Sequence, residues 1–318
     1  MITKIRTKRG KGERLQNLES KAANSRQKMH NAVVIVGSTT IDTNLIDDKE
    51  IIKIGGVTTY AGLTFKKLGI QTSIISNISL ADNFIRDHFL KNDIEFFAGK
   101  SDYTTRFINK YESGVRTQNI SSVASPIKKH QIKRINQVRL IYLGPLHAND
   151  IHQNLLKELS KLNSIITLDI QGLVRKQSNS HVTLEVSPIL YDALDCADIV
   201  KAEKSEIECV LNQINVSLDV LMKKHNISEF IVTEGKDGGY ILSRNGKIDY
   251  KACSVRKIVD PTGAGDVFFA TYIASRIFRN YDFGASSKKA AHIASNHIGG
   301  HFIPFDSLRA NNDILKIK

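Results

Sequence analysis

The chain has 318 residues, 41% of them hydrophobic, and a formal net charge of +13. That length and apolar content suffice for a large core and exclude global disorder. No run of about 18 apolar residues occurs, so no membrane-spanning helix is expected. The three cysteines, Cys196, Cys209 and Cys253, lack metal-ligand spacing and suit a reducing cytoplasm rather than a disulfide scaffold.

Residues 1–28 carry nine basic side chains against only Glu13 and Glu19. With few apolar residues and no sustained period, they read as a basic, disordered tail. Met29 stands just before the first strand. One reading makes it the natural start and the tail an extension; the other keeps a genuine basic arm. The remaining basic excess fits an enzyme acting on anionic phosphates as well as it fits a nucleic-acid binder. The tail lacks the interleaved aromatics of a stacking platform, so nucleic acid ranks low as a partner.

Ala32–Val36 is a continuous apolar run ending at Gly37, the mark of a strand buried on both faces. Asp42 follows it, where open α/β sheets place ligands. A short strand at 51–54 leads to Gly55-Gly56 and a helix over 57–68, stopped by Gly69. Another strand covers 72–76, and Asp82 is expected to cap a helix reaching about Lys91. Between about 94 and 123 the rhythm changes to alternating β segments around Glu112-Ser113-Gly114, a hairpin signal. These segments, with those near 46–54, are read as a small sheet able to close over a site as a lid.

The α/β rhythm then returns. Strands are expected at 140–143, 165–169, 199–200 and 230–233, with helices near 151–162 and 218–225. A hairpin around Asn245-Gly246 and a closing helix over about 283–297 complete the chain. Alternating strands and helices predict a doubly wound, mostly parallel sheet with helices on both faces. Asp42, Asp169, Thr233 and the turn at Gly263 all follow strands and so can meet at one edge. The α/β unit is expected to span 29–318.

The densest signal is Asp260-Pro261-Thr262-Gly263-Ala264-Gly265-Asp266, followed by Val-Phe-Phe-Ala-Thr-Tyr-Ile. Pro261 and two glycines exclude regular structure in the first half. Phe269, Ile273 and Ile277 recur at helical spacing in the second. A turn thus feeds a helix N-terminus, whose unpartnered amides and dipole suit an anion, most often phosphate. Asp266 in the first turn is placed to accept a proton from a hydroxyl attacking phosphorus.

This string, with the apolar helix after it, resembles the C-terminal signature of the ribokinase-like (PfkB) carbohydrate kinase family. The resemblance extends over about residues 32–303. It implies a catalytic base at Asp266 and an anion hole at Gly263, Ala264 and Gly265. It implies acceptor binding through Asp42, Gly55, Gly56, Tyr60 and Asp169, and candidate substrate or phosphate contacts at Arg106 and Arg175, which are equally ordinary as solvated arginines. Donor contacts fall to Lys201, Thr233, Gly235, Gly238, Thr262 and Asn296, and Mg²⁺ to Glu206 through water. Two departures stand out: Glu203 replaces the Asn of an Asn-x-x-Glu motif, and Tyr60 lies near where an Asn usually follows the double glycine. The segments around Tyr60, Arg175 and Glu206 look similar to the inositol-kinase-like branch. The implied activity is ATP-dependent phosphorylation of a small sugar or polyol by a cytoplasmic monomer or homodimer. The alternatives are a nucleoside kinase of the same fold and a non-enzymatic nucleic-acid binder using the tail.

Overall fold

The computed structural model describes residues 30–46, 49–112, 115–134, 138–178 and 181–310. The basic tail, Met29, and Ser113 and Gly114 of the hairpin turn lie outside them. The chain opens with β1 (His30–Gly37), β2 (Thr40–Ile46), β3 (Lys49–Gly55), α1 (Val57–Lys67), β4 (Gln71–Ser79), α2 (Phe84–Lys91) and β5 (Glu95–Ser101). It continues through β6 (Thr105–Glu112), β7 (Val115–Ser122), β8 (Val138–Gly144), α3 (Gln153–Leu159) and β9 (Ile165–Asp169). Then come α4 (Gln171–Val174), β10 (Arg175–Ser178), β11 (His181–Leu184), α5 (Ile189–Cys196), β12 (Ile199–Glu203), α6 (Lys204–Ile214) and α7 (Leu218–His225). The last elements are β13 (Glu229–Thr233), β14 (Gly239–Ser243), β15 (Gly246–Tyr250), α8 (Ala264–Ile273) and α9 (Phe283–Ile298).

Nine strands form one sheet in the order β15-β14-β13-β12-β9-β8-β1-β4-β5. From β13 to β5 every pairing is parallel; the β14–β15 hairpin adds an antiparallel edge. The apolar run of β1 explains its central place. Val33 and Ile35 pack into the core on the face of α1, α8 and α9, while Val34 and Val36 pack into the core on the opposite face. Strand side chains alternate, so an unbroken apolar run serves both faces at once.

A second sheet, ordered β3-β2-β6-β7, stands apart from the first. Its composition corrects the expected boundaries. The segment from 94 to 101 belongs to the large sheet, where β5 pairs in parallel with β4. The small sheet instead recruits Thr40–Ile46, the strand that carries Asp42. Strand β2 is polar at alternate positions, Thr40, Asp42 and Asn44, and follows directly on β1, so its strand character is masked by ligand-like residues.

Two further differences are local. Asn83, not Asp82, holds the N-cap place of α2, because the Asp82 carboxylate turns to Arg106 at 2.7 Å. The β10–β11 hairpin and helices α5 and α6 were not expected from the sequence, although α5 buries Leu190, Ala193 and Leu194 at helical spacing. Beyond Ile273 the last helical turn before Arg279 widens to π geometry over Ala274–Phe278. Among the described residues no helix is long and apolar enough to cross a membrane.

Candidate active site

A cleft of about 1290 Å³ opens between the C-terminal strand ends of the large sheet and the inner face of the small one. The loop at 260–266 forms its floor. Gly263 is the N-cap of α8 with φ +78 and ψ 3, a left-handed conformation that a side chain disfavours. A Cβ there would also lie 2.2 Å from the ring of Tyr60. The Ala264 amide bonds back to the Pro261 carbonyl at 3.2 Å, and Val267 to Gly263 at 2.9 Å. The Thr262 carbonyl, the natural partner of the Asp266 amide, is taken by His297 Nε2 at 2.8 Å. Burial holds the His297 pKa below its ordinary value. The neutral ring must then carry its proton on Nε2, because a carbonyl only accepts. Among the described residues, the Gly265 and Asp266 amides make no hydrogen bond within the chain, so they are the donors that α8 offers to the cleft. Of the three residues expected to form an anion hole, Ala264 has its amide engaged by Pro261, while the Gly263 and Gly265 amides have no partner among the described residues.

Asp266 lies in the first turn of a helix whose following residues, Val267 to Ile273, are buried without exception. Its carboxyl is pushed up to about 7, first by burial and then by the negative charge of Asp169, against the opposing pull of Lys201 and Arg175. A carboxylate with that affinity for a proton is suited to general-base work near neutral pH.

Behind it lies a charged cluster built by β9, β10, β12 and α6. Lys201 Nζ meets Asp169 Oδ2 at 2.8 Å, both side chains fully buried or nearly so. Burial alone would lower the lysine pKa, but Asp169, Glu206 and Asp266 outweigh it, and the net shift is upward. The ammonium is therefore a fixed positive charge beside Gly265, where even a Cβ would stand only 3.3 Å from it. Arg175 spans two acids: Nε to Glu206 Oε1 at 2.8 Å and Nη2 to Glu203 Oε2 at 2.7 Å. Glu206 also accepts the Glu203 N–H at 2.8 Å, closing a capping box at the start of α6. The Glu203 departure thus keeps the helix capped and gives Arg175 a second anion.

At the other end, Asp42 is buried and accepts Thr40 Oγ1 at 2.7 Å. Gly55 has no room for a side chain, because a Cβ would sit 2.2 Å from Asp42 Oδ2. Phe107, Gln118 and Ile120 of the small sheet line the same end. Thr233, Gly235 and Gly238 line the wall opposite, beside Tyr250, whose ring stacks on Phe268 with centroids 5.0 Å apart.

Most of the expected residues come together here. Asp42, Gly56, Tyr60, Arg175, Lys201, Thr233, Gly235, Gly238, Thr262, Gly263, Ala264, Gly265 and Asp266 all line the cleft. Gly55, Asp169 and Glu206 stand directly behind that wall, as packing or charge partners. Arg106 and Asn296 do not line it. Arg106 registers with Ile41 and Phe107 with Asp42, so strand alternation turns Phe107 inward and sends Arg106 to Asp82. On α9 it is Ser295 that faces the cleft, while the Asn296 amide contacts His292.

Four contributors escaped sequence reasoning. Lys53, on β3, is fully buried against Asp260. Asp150 is held by the Leu146 and His147 amides, pairs with His147 Nε2 at 2.6 Å and accepts the Ser38 hydroxyl. His147 and Gln118 reach the cleft from loop and small sheet. Their one available signal was a polar residue inside or beside an apolar strand.

This architecture is the ribokinase-like α/β fold. A pyrophosphate-dependent kinase of the ribokinase family, solved with a pyrophosphate analog and myo-inositol, superposes with a TM-score of 0.73 at 20% identity, covering 90% of this chain and 100% of that one. The nucleoside kinase of Methanocaldococcus jannaschii gives 0.68 at 18% over 90% of this chain and 97% of its own, and Arabidopsis thaliana ribokinase with ribose and ATP gives 0.68 at 16% over 90% and 98%. The model of the pfkB family of carbohydrate kinases matches residues 30–301, and the chain belongs to that family. In sequence, the M. jannaschii nucleoside kinase is 28% identical over 94 residues, 30% of each chain. An Escherichia coli 2-dehydro-3-deoxygluconokinase is 28% identical over 137 residues, 40% of this chain and 42% of that protein. The matched stretches thus span less than half the length of these curated relatives.

Proposed function

We propose that the protein is an ATP-dependent kinase that phosphorylates a hydroxyl group of a small polyol or sugar, with an inositol-like acceptor favoured. The observation that carries this is Asp266, a proton-accepting carboxylate adjoining two unpartnered helix amides and sharing one cleft with the buried Asp42. Asp42 would orient the acceptor by accepting its hydroxyl hydrogen bonds. Asp266 would take the proton of the attacking hydroxyl. That oxygen would bond to the γ-phosphorus as the bond from phosphorus to the β–γ bridging oxygen breaks, with the electron pair leaving on ADP. The Gly265 and Asp266 amides and the Lys201 ammonium would stabilise charge on the phosphoryl oxygens; one preorganised donor of this kind is typically worth about 3 kcal/mol.

Among the described residues no group of three His, Cys, Asp or Glu is arranged to hold a metal ion. Mg²⁺ fits such a site, since it is ordinarily carried in on phosphates and keeps its waters, asking one or two carboxylates of the protein. Glu206 would hold it through water, and its contribution would be neutralisation of phosphate charge.

The donor reading rests on the far wall. Tyr250, Ala252, Val255, Phe268, Ala294 and Ile298 form an apolar surface beyond the anion loop. A purine ring buries well against such a surface, and a bare pyrophosphate has no use for it. The likeness to a pyrophosphate-dependent kinase supports pyrophosphate as the second reading. A matrix of ATP and pyrophosphate against inositols, hexoses, deoxy sugar acids and nucleosides decides both questions. Turnover with ATP and a cyclic polyol is the expected result. Turnover with nucleosides alone, or with pyrophosphate alone, overturns the acceptor or the donor reading respectively.

A further inference from the structure

Lys53 is fully buried and meets Asp260 Oδ2 at 2.6 Å. Across the β2–β3 ladder its register partner is Asp42. Directly opposed residues of an antiparallel pair project from the same face. One rung of the small sheet therefore sends an acid to the acceptor end of the cleft and an ammonium to the anion loop. Beyond the ion pair, Asp260 Oδ1 accepts the Thr262 amide at 2.9 Å, and the Thr262 carbonyl is held by His297. The Phe305 ring lies 5.0 Å from the ammonium, and Arg309 pairs with the backbone of Lys53, so the C-terminal segment covers the pair from outside.

Stability does not account for this arrangement. Burying two ions costs several kcal/mol each, and an apolar pair of similar volume is often as stable or more so. What the ion pair supplies is geometry: a short, directional link between a strand and a loop that are otherwise separate parts of the fold.

We propose that Lys53 is a positioning residue for phosphoryl transfer: through Asp260 it sets the conformation of the anion loop and fixes that loop relative to the acceptor-binding strand. The proposal rests on the kinase reading of the cleft. Free amides at Gly265 and Asp266 depend on the path of the chain from Asp260 to Thr262, and Lys53 holds the first residue of that path. The same rung fixes Asp42, so acceptor and donor ends keep one spacing.

Lys53→Met retains the stem and removes the charge. In the folded variant, amide exchange across Thr262–Asp266 should quicken about tenfold or more, and kcat should fall about 10- to 100-fold with smaller changes in either KM. In Lys53→Ala, ammonium chloride should refill the vacated position and restore kcat by about fivefold or more, while tetramethylammonium chloride, too large to enter, should not. Wild type should ignore both salts. Unchanged exchange with kcat within about twofold of wild type in Lys53→Met, or no ammonium rescue of Lys53→Ala, overturns the proposal. Should neither truncation fold, Lys53→Arg keeps the charge and displaces the head group; it should show raised exchange and reduced kcat, and wild-type values for both overturn the proposal. If wild type phosphorylates no acceptor, the kinase reading fails on that control, and amide exchange still decides whether Lys53 orders the loop.

Discussion

Gly263 and Asp266 carry opposite kinds of constraint. At Gly263 the backbone is left-handed and the Tyr60 ring fills the space a methyl would need. Gly263→Ala should therefore cost about 1–3 kcal/mol in chemical denaturation and reduce kcat at least about tenfold, because the amides that follow must shift. Asp266 is constrained by charge. Its carboxyl is raised to about 7, so it is largely protonated below that pH and acts as a base only above it. The acid limb of kcat/KM, which reports the free enzyme, should fall near pH 7, with rate lost as pH drops. Asp169→Asn removes the second cause of that shift, after burial. It should move the limb to lower pH while also lowering kcat, since Lys201 loses its partner. A limb that stays in place excludes Asp266 as the titrating base.

The elements that build the site differ in how plainly the chain announces them. Strand β1, the loop at 260–266 and helix α8 were legible because one period or one turn chemistry dominates each. Asp266, in that loop and helix, and Asp42, just after β1, could therefore be expected at one edge, and both line the cleft. Strand β2 was not legible, because its polar residues serve the cleft rather than the core. Arg106 and Asn296 each stand one residue from a cleft-lining neighbour, which on a strand is the opposite face and on a helix about 100°. Lys53 was hidden because its partner lies 207 positions away, and no local pattern encodes such a pair. Helix α6 shows how one residue answers to two levels. Glu206 caps the helix and also faces Arg175. Glu206→Gln keeps an oxygen for the Glu203 amide, so the thermal midpoint should hardly move. The lost charge should raise the Mg²⁺ concentration for half-maximal rate about tenfold or more. An unchanged Mg²⁺ requirement would rule out the proposed role of Glu206 in holding the metal.

For the molecule as a whole, two sheets meet at one cleft, and each lines part of it. The large sheet and α8 contribute Gly265, Asp266 and Lys201. The small sheet offers Asp42, Phe107 and Gln118, and Lys53 reaches from it to the loop below. The reading of this assembly as a phosphoryl-transfer machine stands on one carboxylate. Single-turnover phosphorylation by Asp266→Asn, with the acceptor the wild type prefers, tests it most directly. The account predicts a chemical step slower by about 10²- to 10⁴-fold, with donor and acceptor affinities within about threefold of wild type. A chemical step within about threefold of wild type would contradict it.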